Sequence, residues 1–143
     1  MTVYELRHTF FRHKDEIVGS VSDLGLYSTI EQAENAIQYY VTQPGFKDNQ
    51  DAFSVRERPV TGECNDGIVY EAMVYFHSED YEFEYTAELG LYGDEEVANE
   101  KMKKHCADNQ RIINAKDVIV EKLVNECILD QRTWAEGFDI YTY

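Results

Sequence analysis

Positive charge is missing from a long stretch of this sequence. Between Pro59 and Glu100 there is no lysine and no arginine, although the same stretch holds 12 aspartates and glutamates. The whole chain carries a formal net charge of −15, from 13 lysines and arginines against 28 acids. Binding to a nucleic-acid backbone needs clustered cationic side chains, so the composition argues against direct nucleic-acid binding. A charged partner of this protein is expected to be basic.

Cysteines and long apolar runs are also scarce. The three cysteines, Cys64, Cys106 and Cys127, are an odd number and lie far apart, which argues against a disulfide framework and against a CxxC metal or redox site. No apolar run approaches the roughly 20 residues that a membrane helix needs. Charge appears too early in the chain for a secretory signal. We therefore expect a cytoplasmic protein that does not enter a membrane.

Short segments recur at a nearly constant spacing. Val3-Tyr4-Glu5 returns at residues 69–71, a shift of 66 residues, and Leu24-Gly25-Leu26-Tyr27 returns at residues 89–92, a shift of 65. Two matches at nearly one offset predict a duplicated unit. Residue alternation and a capped helical pattern give the first unit two strands over 3–11 and 16–27, a helix after Ser28 or Thr29, and a third strand over 52–60.

The second unit repeats this order and adds a tail. Strands are predicted over 68–77 and 81–92, a helix over 94–107 and a third strand from Val118, followed by a strand to Leu129, a turn over 132–137 and a last strand over 138–141. The predicted class is α+β: tandem β-β-α-β repeats with antiparallel sheets, each covered by one helix, and an extra C-terminal β-hairpin. We assign the units to 1–62 and 67–143, and expect one compact pseudo-symmetric body because the connector is short.

Catalytic sequence motifs are absent. The chain has no HExxH, no GxSxG, no P-loop and no GxGxxG that opens a helix. The four histidines are scattered, and His8 lies on the predicted buried face of its strand, where a core role is commoner than a ligand role. His77 ends a strand beside Glu79 and Asp80, but such turns are common without any ion. We predict no catalytic residue, no metal site and no cofactor.

Acidic residues concentrate on one predicted strand. From Tyr81 to Leu89, alternation assigns the aromatic and aliphatic side chains to the helix side and the acids to the open face. The pattern fits an ordinary solvated face equally well, but no lysine on this stretch relieves the repulsion, and the equivalent residues 16–22 of the first unit carry one acid. The predicted partner-binding residues are Glu71, Tyr75, Glu79, Asp80, Glu82, Glu84 and Glu88.

The first unit also resembles a known kind of domain. The segments that carry the likeness are Val3-Tyr4-Glu5-Leu6, Leu24-Gly25-Leu26-Tyr27-Ser28, residues 31–37, Pro44-Gly45-Phe46 and Phe53. They are similar to a small bacterial domain family of unknown function with a YELxH strand, a GxYSSxEEAxxAI junction and a PGF turn. The second unit lacks the Pro-Gly-Phe segment. Small acidic proteins of this kind resemble the immunity partners of bacterial toxins, a likeness at the level of the fold.

These observations favour a non-enzymatic binding protein. We predict an immunity protein or inhibitor that neutralises a basic toxin or nuclease by occluding its active site, with charge speeding capture. A phage-type inhibitor that mimics nucleic acid is a related alternative. A small hydrolase or ligand-binding protein with a cleft between the repeats is an alternative of another class. Unpaired edge strands leave a homodimer by sheet extension as a further expectation.

Overall fold

The structure, a computed structural model, describes residues 1–11, 20–113 and 118–133 and has a mixed α and β fold. The strands within these residues are β1 (Thr2–Phe10), β2 (Ser20–Tyr27), β3 (Phe53–Thr61), β4 (Ile68–Ser78), β5 (Glu84–Tyr92) and β6 (Val118–Ile128). The helices are α1 (Ile30–Tyr40), α2 (Glu95–Asp108) and the short α3 (Gln110–Ile113), with one 3₁₀ turn over Gln50–Ala52. None of these helices is both long and apolar enough to cross a membrane.

The chain divides into two compact units. The first contains Thr2–Arg58 together with the segment after Cys127, and the second contains Met1 and Pro59–Cys127. β3 therefore begins in the first unit and ends in the second. The segment from Ile128, which the sequence analysis placed at the end of a 67–143 unit, lies with the first unit.

The first unit packs α1 on β1 and β2. Its strands are ordered β2-β1-β3, and β1 pairs antiparallel with β2. The Thr29 hydroxyl caps α1 by accepting a hydrogen bond from the backbone N–H of Gln32 at 3.1 Å. Helical spacing then buries one side of α1 against the sheet. The core consists of Leu6, Leu24, Tyr27, Ala33, Ala36, Tyr40 and Phe46.

The segment after β6 is anchored on this first unit. The Asp130 backbone N–H donates to the Leu26 carbonyl at 2.9 Å, and its carboxylate accepts from the N–H and the hydroxyl of Ser28 at 2.8 and 2.7 Å. The Arg132 guanidinium lies 3.5 Å from the ring centroid of Tyr39. The predicted last strand falls on residues 138–141, which lie outside the described residues, as do the first residues of the predicted second strand.

The second unit packs α2 on β4 and β5. Asp94 caps α2 by accepting from two backbone N–H groups, and Ala98, Met102 and Cys106 form the buried side of the helix. The strand order is β3-β5-β4-β6, with β4 antiparallel to β5. The prediction of wholly antiparallel sheets is wrong at one place: the end of β3 pairs parallel with β5, because Val60 lies opposite Leu91.

The recurring Leu-Gly-Leu-Tyr sequence has one local geometry in both hairpins. Gly25 and Gly90 adopt φ angles of +112° and +131°, which residues with a Cβ rarely adopt. Two residues later in each strand, a tyrosine hydroxyl donates to the carbonyl of the residue three positions before it, at 2.7 Å in β2 and 3.0 Å in β5. The two glycines thus let each tyrosine fold back on its own strand.

Candidate functional site

One face of the second unit is not covered by α2. In the β4–β5 register, Met73 lies opposite Glu88, Tyr75 opposite Thr86 and His77 opposite Glu84. Since side chains alternate along a strand, these residues share the face away from α2, while the intervening β4 side chains are buried in the core beneath the helix. We call the side chains of β4, β5 and β6 on this side the open face.

A hydrogen bond joins two predicted partner-binding residues on the open face. The Tyr75 hydroxyl donates to Glu84 Oε1 at 2.6 Å. This bond to a carboxylate, helped by desolvation, raises the pKa of Tyr75 to about 12. Tyr75 therefore remains a protonated donor across the physiological range, and its hydroxyl fixes the position of the Glu84 carboxylate.

The turn between β4 and β5 is closed by its own hydrogen bonds. Tyr81 takes a φ of 59°, its backbone N–H donates to the Ser78 carbonyl at 3.1 Å, and the Ser78 N–H donates to the Phe83 carbonyl at 2.9 Å. Asp80 Oδ1 accepts from the Ser78 hydroxyl at 2.7 Å and from the Glu82 N–H at 3.1 Å. These bonds lower the pKa of Asp80, so the ionised carboxylate braces the turn. We call residues 78–85 the hairpin tip.

Three aromatic side chains project from the hairpin tip into solvent. Tyr81 is 58% exposed, Phe83 47% and Tyr85 54%. The prediction that they pack against the helix is wrong for Tyr81 and Phe83, because β5 begins only at Glu84 and strand alternation does not apply within a turn. Tyr85 lies in β5 opposite Phe76, on the side of the sheet that α2 covers. Tyr85 stacks on Phe76, with ring centroids 6.2 Å apart, and still keeps more than half of its surface exposed. Exposed aromatic surface rimmed by polar groups is typical of protein-binding sites.

β6 adds side chains to the open face that the sequence analysis missed. Glu121 Oε1 lies 3.6 Å from His77 Nε2, and Asn125 Nδ2 lies 3.9 Å from Met73 Sδ. Alternation places the exposed Leu123 between them. Nothing in the local sequence of β6 says that β4 is its neighbour, so only the strand order reveals this contribution.

The predicted partner-binding residues fall into two adjoining groups. Four lie on the open face: Glu71 and Tyr75 on β4, and Glu84 and Glu88 on β5. Three lie in the hairpin tip: Glu79, Asp80 and Glu82. Glu84 belongs to both the tip and the face, so the two groups are continuous.

A further charged cluster and a pocket belong to the first unit. Among the described residues, no three histidine, cysteine or carboxylate side chains are grouped as a metal site requires. In the first unit, the buried Glu5 carboxylate accepts from Arg58 at 2.7 Å and lies 3.0 and 3.1 Å from the guanidinium groups of Arg56 and Arg7. An open pocket of about 350 Å³ lies beside Tyr39 and is lined by residues 130–132.

Comparison of the chain with protein-family models, with curated proteins and with solved structures found no match. The likeness of the first unit to a bacterial domain family of unknown function therefore stays a prediction.

Proposed function

We propose that this chain is a non-enzymatic, acidic protein-binding module: an immunity protein or inhibitor that occludes the active site of a basic toxin or nuclease. The observation that carries the proposal is the hairpin tip. It presents three exposed aromatic side chains, Tyr81, Phe83 and Tyr85, among acidic residues in a stretch that has no lysine or arginine. The aromatic side chains supply apolar contact area for a partner, and the acidic side chains supply negative charge.

The two kinds of side chain have different tasks in the proposed complex. Aromatic residues carry a large share of the binding energy at protein interfaces, because they bury much area and lose little conformational entropy. Carboxylates steer a basic partner during encounter and pair with its arginines and lysines once docked. Acids concentrated without nearby cations work against folding, so a binding role accounts for their presence better than solubility does.

The shape of the hairpin tip supports occlusion of a cleft. Its turn is held by the Ser78–Phe83 backbone bond and by the two bonds to Asp80 before any partner arrives. A pre-ordered turn loses less entropy on binding than a flexible loop. A projecting, acidic and aromatic turn complements a concave, basic active site of the kind that binds phosphate groups.

We also propose that the two units are a diverged tandem repeat, with the binding surface confined to the second copy. The equivalent strands follow the same order, β2-β1-β3 and β5-β4-β6, and the two glycine-containing hairpins share their geometry. The charges differ between the copies. On β2 of the first unit, Asp23 accepts a hydrogen bond from Arg7 at 2.9 Å, whereas the equivalent β5 of the second unit carries the exposed Glu84 and Glu88.

Charge reversal tests the proposed binding surface. The double variant Glu79→Lys/Glu82→Lys changes the hairpin tip, and Glu34→Lys/Asp48→Lys makes the same net change at exposed positions of the first unit. Immobilised wild-type protein and both variants are incubated with host lysate, and captured proteins are identified by mass spectrometry. We expect wild type and the first-unit variant to retain one basic protein and the tip variant to lose it, because the reversed charges repel it.

The thermal unfolding midpoint of each variant is the control for folding, and relief of acid repulsion should leave the midpoint of the tip variant unchanged or higher. Equal capture by the two variants, or capture of acidic proteins only, would contradict the proposal.

A further inference from the structure

Three rings are stacked where the open face meets the hairpin tip. The ring centroids of Tyr75 and His77 are 4.9 Å apart with an interplanar angle of 25°, and those of His77 and Tyr81 are 4.7 Å apart at 4°. His77 lies in the middle and is 3% exposed, while Tyr81 at the outer end is 58% exposed. One face of Tyr81 is covered by the imidazole, so its exposure comes from the outer side of the stack.

The His77 imidazole has a vacant acceptor directed at a carboxylate. Its Nδ1 lies 3.0 Å from the Ser78 carbonyl, which can only accept, so Nδ1 carries the proton in the neutral ring. Nε2 then holds a lone pair, and no group among the described residues makes a hydrogen bond to it. The nearest polar atom, Glu121 Oε1 at 3.6 Å, is itself an acceptor. The site lacks a positively charged N–H donor.

We infer that the Tyr75–His77–Tyr81 stack, together with Glu121, is the seat of an arginine side chain of the basic partner. A guanidinium group is planar and presents several N–H donors in a fixed fork, on a stem whose apolar carbons can cover an aromatic ring. It can lie at the edge of the stack and donate in the plane of the imidazole to His77 Nε2 and to Glu121, while its apolar stem packs against the exposed Tyr81. The Glu121 side chain is 55% exposed and can move to admit it.

Other cations fit this site less well. A lysine ammonium is a single point of charge and lacks the rigid fork that donates to His77 Nε2 and to Glu121 together. A metal ion would need a larger group of ligands than the described residues bring together here. Arginine is thus the occupant that uses the stack, the vacant acceptor and the carboxylate together.

The inference rests on the proposed binding function, and a small probe separates the two. N-acetyl-arginine amide and N-acetyl-lysine amide are titrated into the full-length protein while the imidazole signals of His77 are followed by NMR. We expect a saturable shift at His77 with the arginine probe, and binding of the lysine probe weaker by about tenfold.

Three variants and a matched control complete the test. His77→Phe keeps a stacking ring but removes the acceptor, Tyr81→Leu removes the outer ring, and Glu121→Gln removes the charge. Each should weaken binding of the arginine probe several-fold, as followed by the aromatic signals of Tyr75, whereas Glu126→Gln, an exposed charge change on the same strand, should not. Glu121→Gln keeps the test valid if a ring variant fails to fold.

The outcomes distinguish the inference from the function on which it rests. Equal binding of both probes, or unchanged binding by His77→Phe and Glu121→Gln, overturns the arginine site even if a basic protein is captured through the hairpin tip. A specific response to the arginine probe in a protein that captures no basic partner supports the site and overturns the proposed function.

Discussion

Burial of a single ionisable residue makes the stability of the first unit depend on pH. The His8 ring lies between Phe46 and Phe53, 4.8 Å from each ring centroid, and its Nε2 donates to the Asn49 carbonyl at 3.0 Å. Desolvation lowers the pKa of His8 below its ordinary value of 6.5, and the bond to Asn49 opposes this only in part. The sequence predicted the burial from strand alternation alone, and the structure confirms it.

The direction of this pH dependence follows from whether the folded or the unfolded chain binds the proton first. Because the native pKa lies below the unfolded one, the unfolded chain takes up the proton first as the pH falls, and stability is lost below about pH 6.5. His8→Phe should fill the same space and reduce the loss of unfolding free energy at acidic pH. Urea unfolding of both proteins at about pH 7.5 and about pH 5.5 measures the difference, and an equally steep loss in the variant would show that His8 is not its source.

Local sequence patterns predict which side chains are buried better than they predict which side chains form ion pairs. Strand alternation places Glu5 on the face opposite His8, beside Arg7 and away from the core. Glu5 is nevertheless buried, because Arg58 of β3, more than fifty positions along the chain, lies against it. A carboxylate with several guanidinium neighbours is stable in such a place, since charge and hydrogen bonds compensate the loss of water. Local sequence contains no sign of that distant partner.

At the scale of elements, the two glycine-containing hairpins have similar backbone geometry, but different atoms surround their glycines. A Cβ at Gly25 would lie 2.7 Å from the carbonyl oxygen of Gln131, in the segment after β6, whereas a Cβ at Gly90 would meet nothing closer than 3.5 Å. Both positions have φ values that strain any other residue by about 1–3 kcal/mol. Of the two glycines, Gly25 is therefore the one in close contact with the segment after β6.

Alanine substitutions should reveal that difference. Gly25→Ala is expected to lower the free energy of unfolding more than Gly90→Ala, because it also displaces the tail segment. Urea unfolding gives the two losses, and hydrogen exchange of the Asp130 amide, which donates to Leu26, reports the tail directly. Exchange at Asp130 that is the same in both variants would contradict this expectation.

Helices and hairpin strands could be predicted from local chemistry, but the hairpin tip could not. Thr29 and Asp94 cap their helices as their sequence positions indicate, and β4 begins at the predicted Ile68. The alternation from Tyr81 to Leu89 continues through residues that form a turn. The left-handed backbone at Tyr81, which no sequence pattern marks, lies in the turn that reverses the chain before β5 begins.

At the scale of the whole molecule, the charge is unevenly divided along the chain. Residues 1–66 carry 11 acids and 6 bases, and residues 67–143 carry 17 acids and 7 bases. In the proposed complex, the net charge of −15 would attract the basic partner from a distance, and the hairpin tip and the open face would determine where it docks. The composition predicts that the partner's charge is positive, and this stays a prediction. The position of β6 beside β4 depends on long-range pairing that the composition does not encode.

Hydrogen–deuterium exchange of the complex with the captured basic protein tests the central claim most directly. The account predicts slower exchange on binding at the backbone amides of residues 78–88, in the hairpin tip and the start of β5, and in the β6 segment around Glu121. The α1 amides should exchange as in the free protein. Protection confined to the first unit, with the hairpin tip unchanged, would contradict the account.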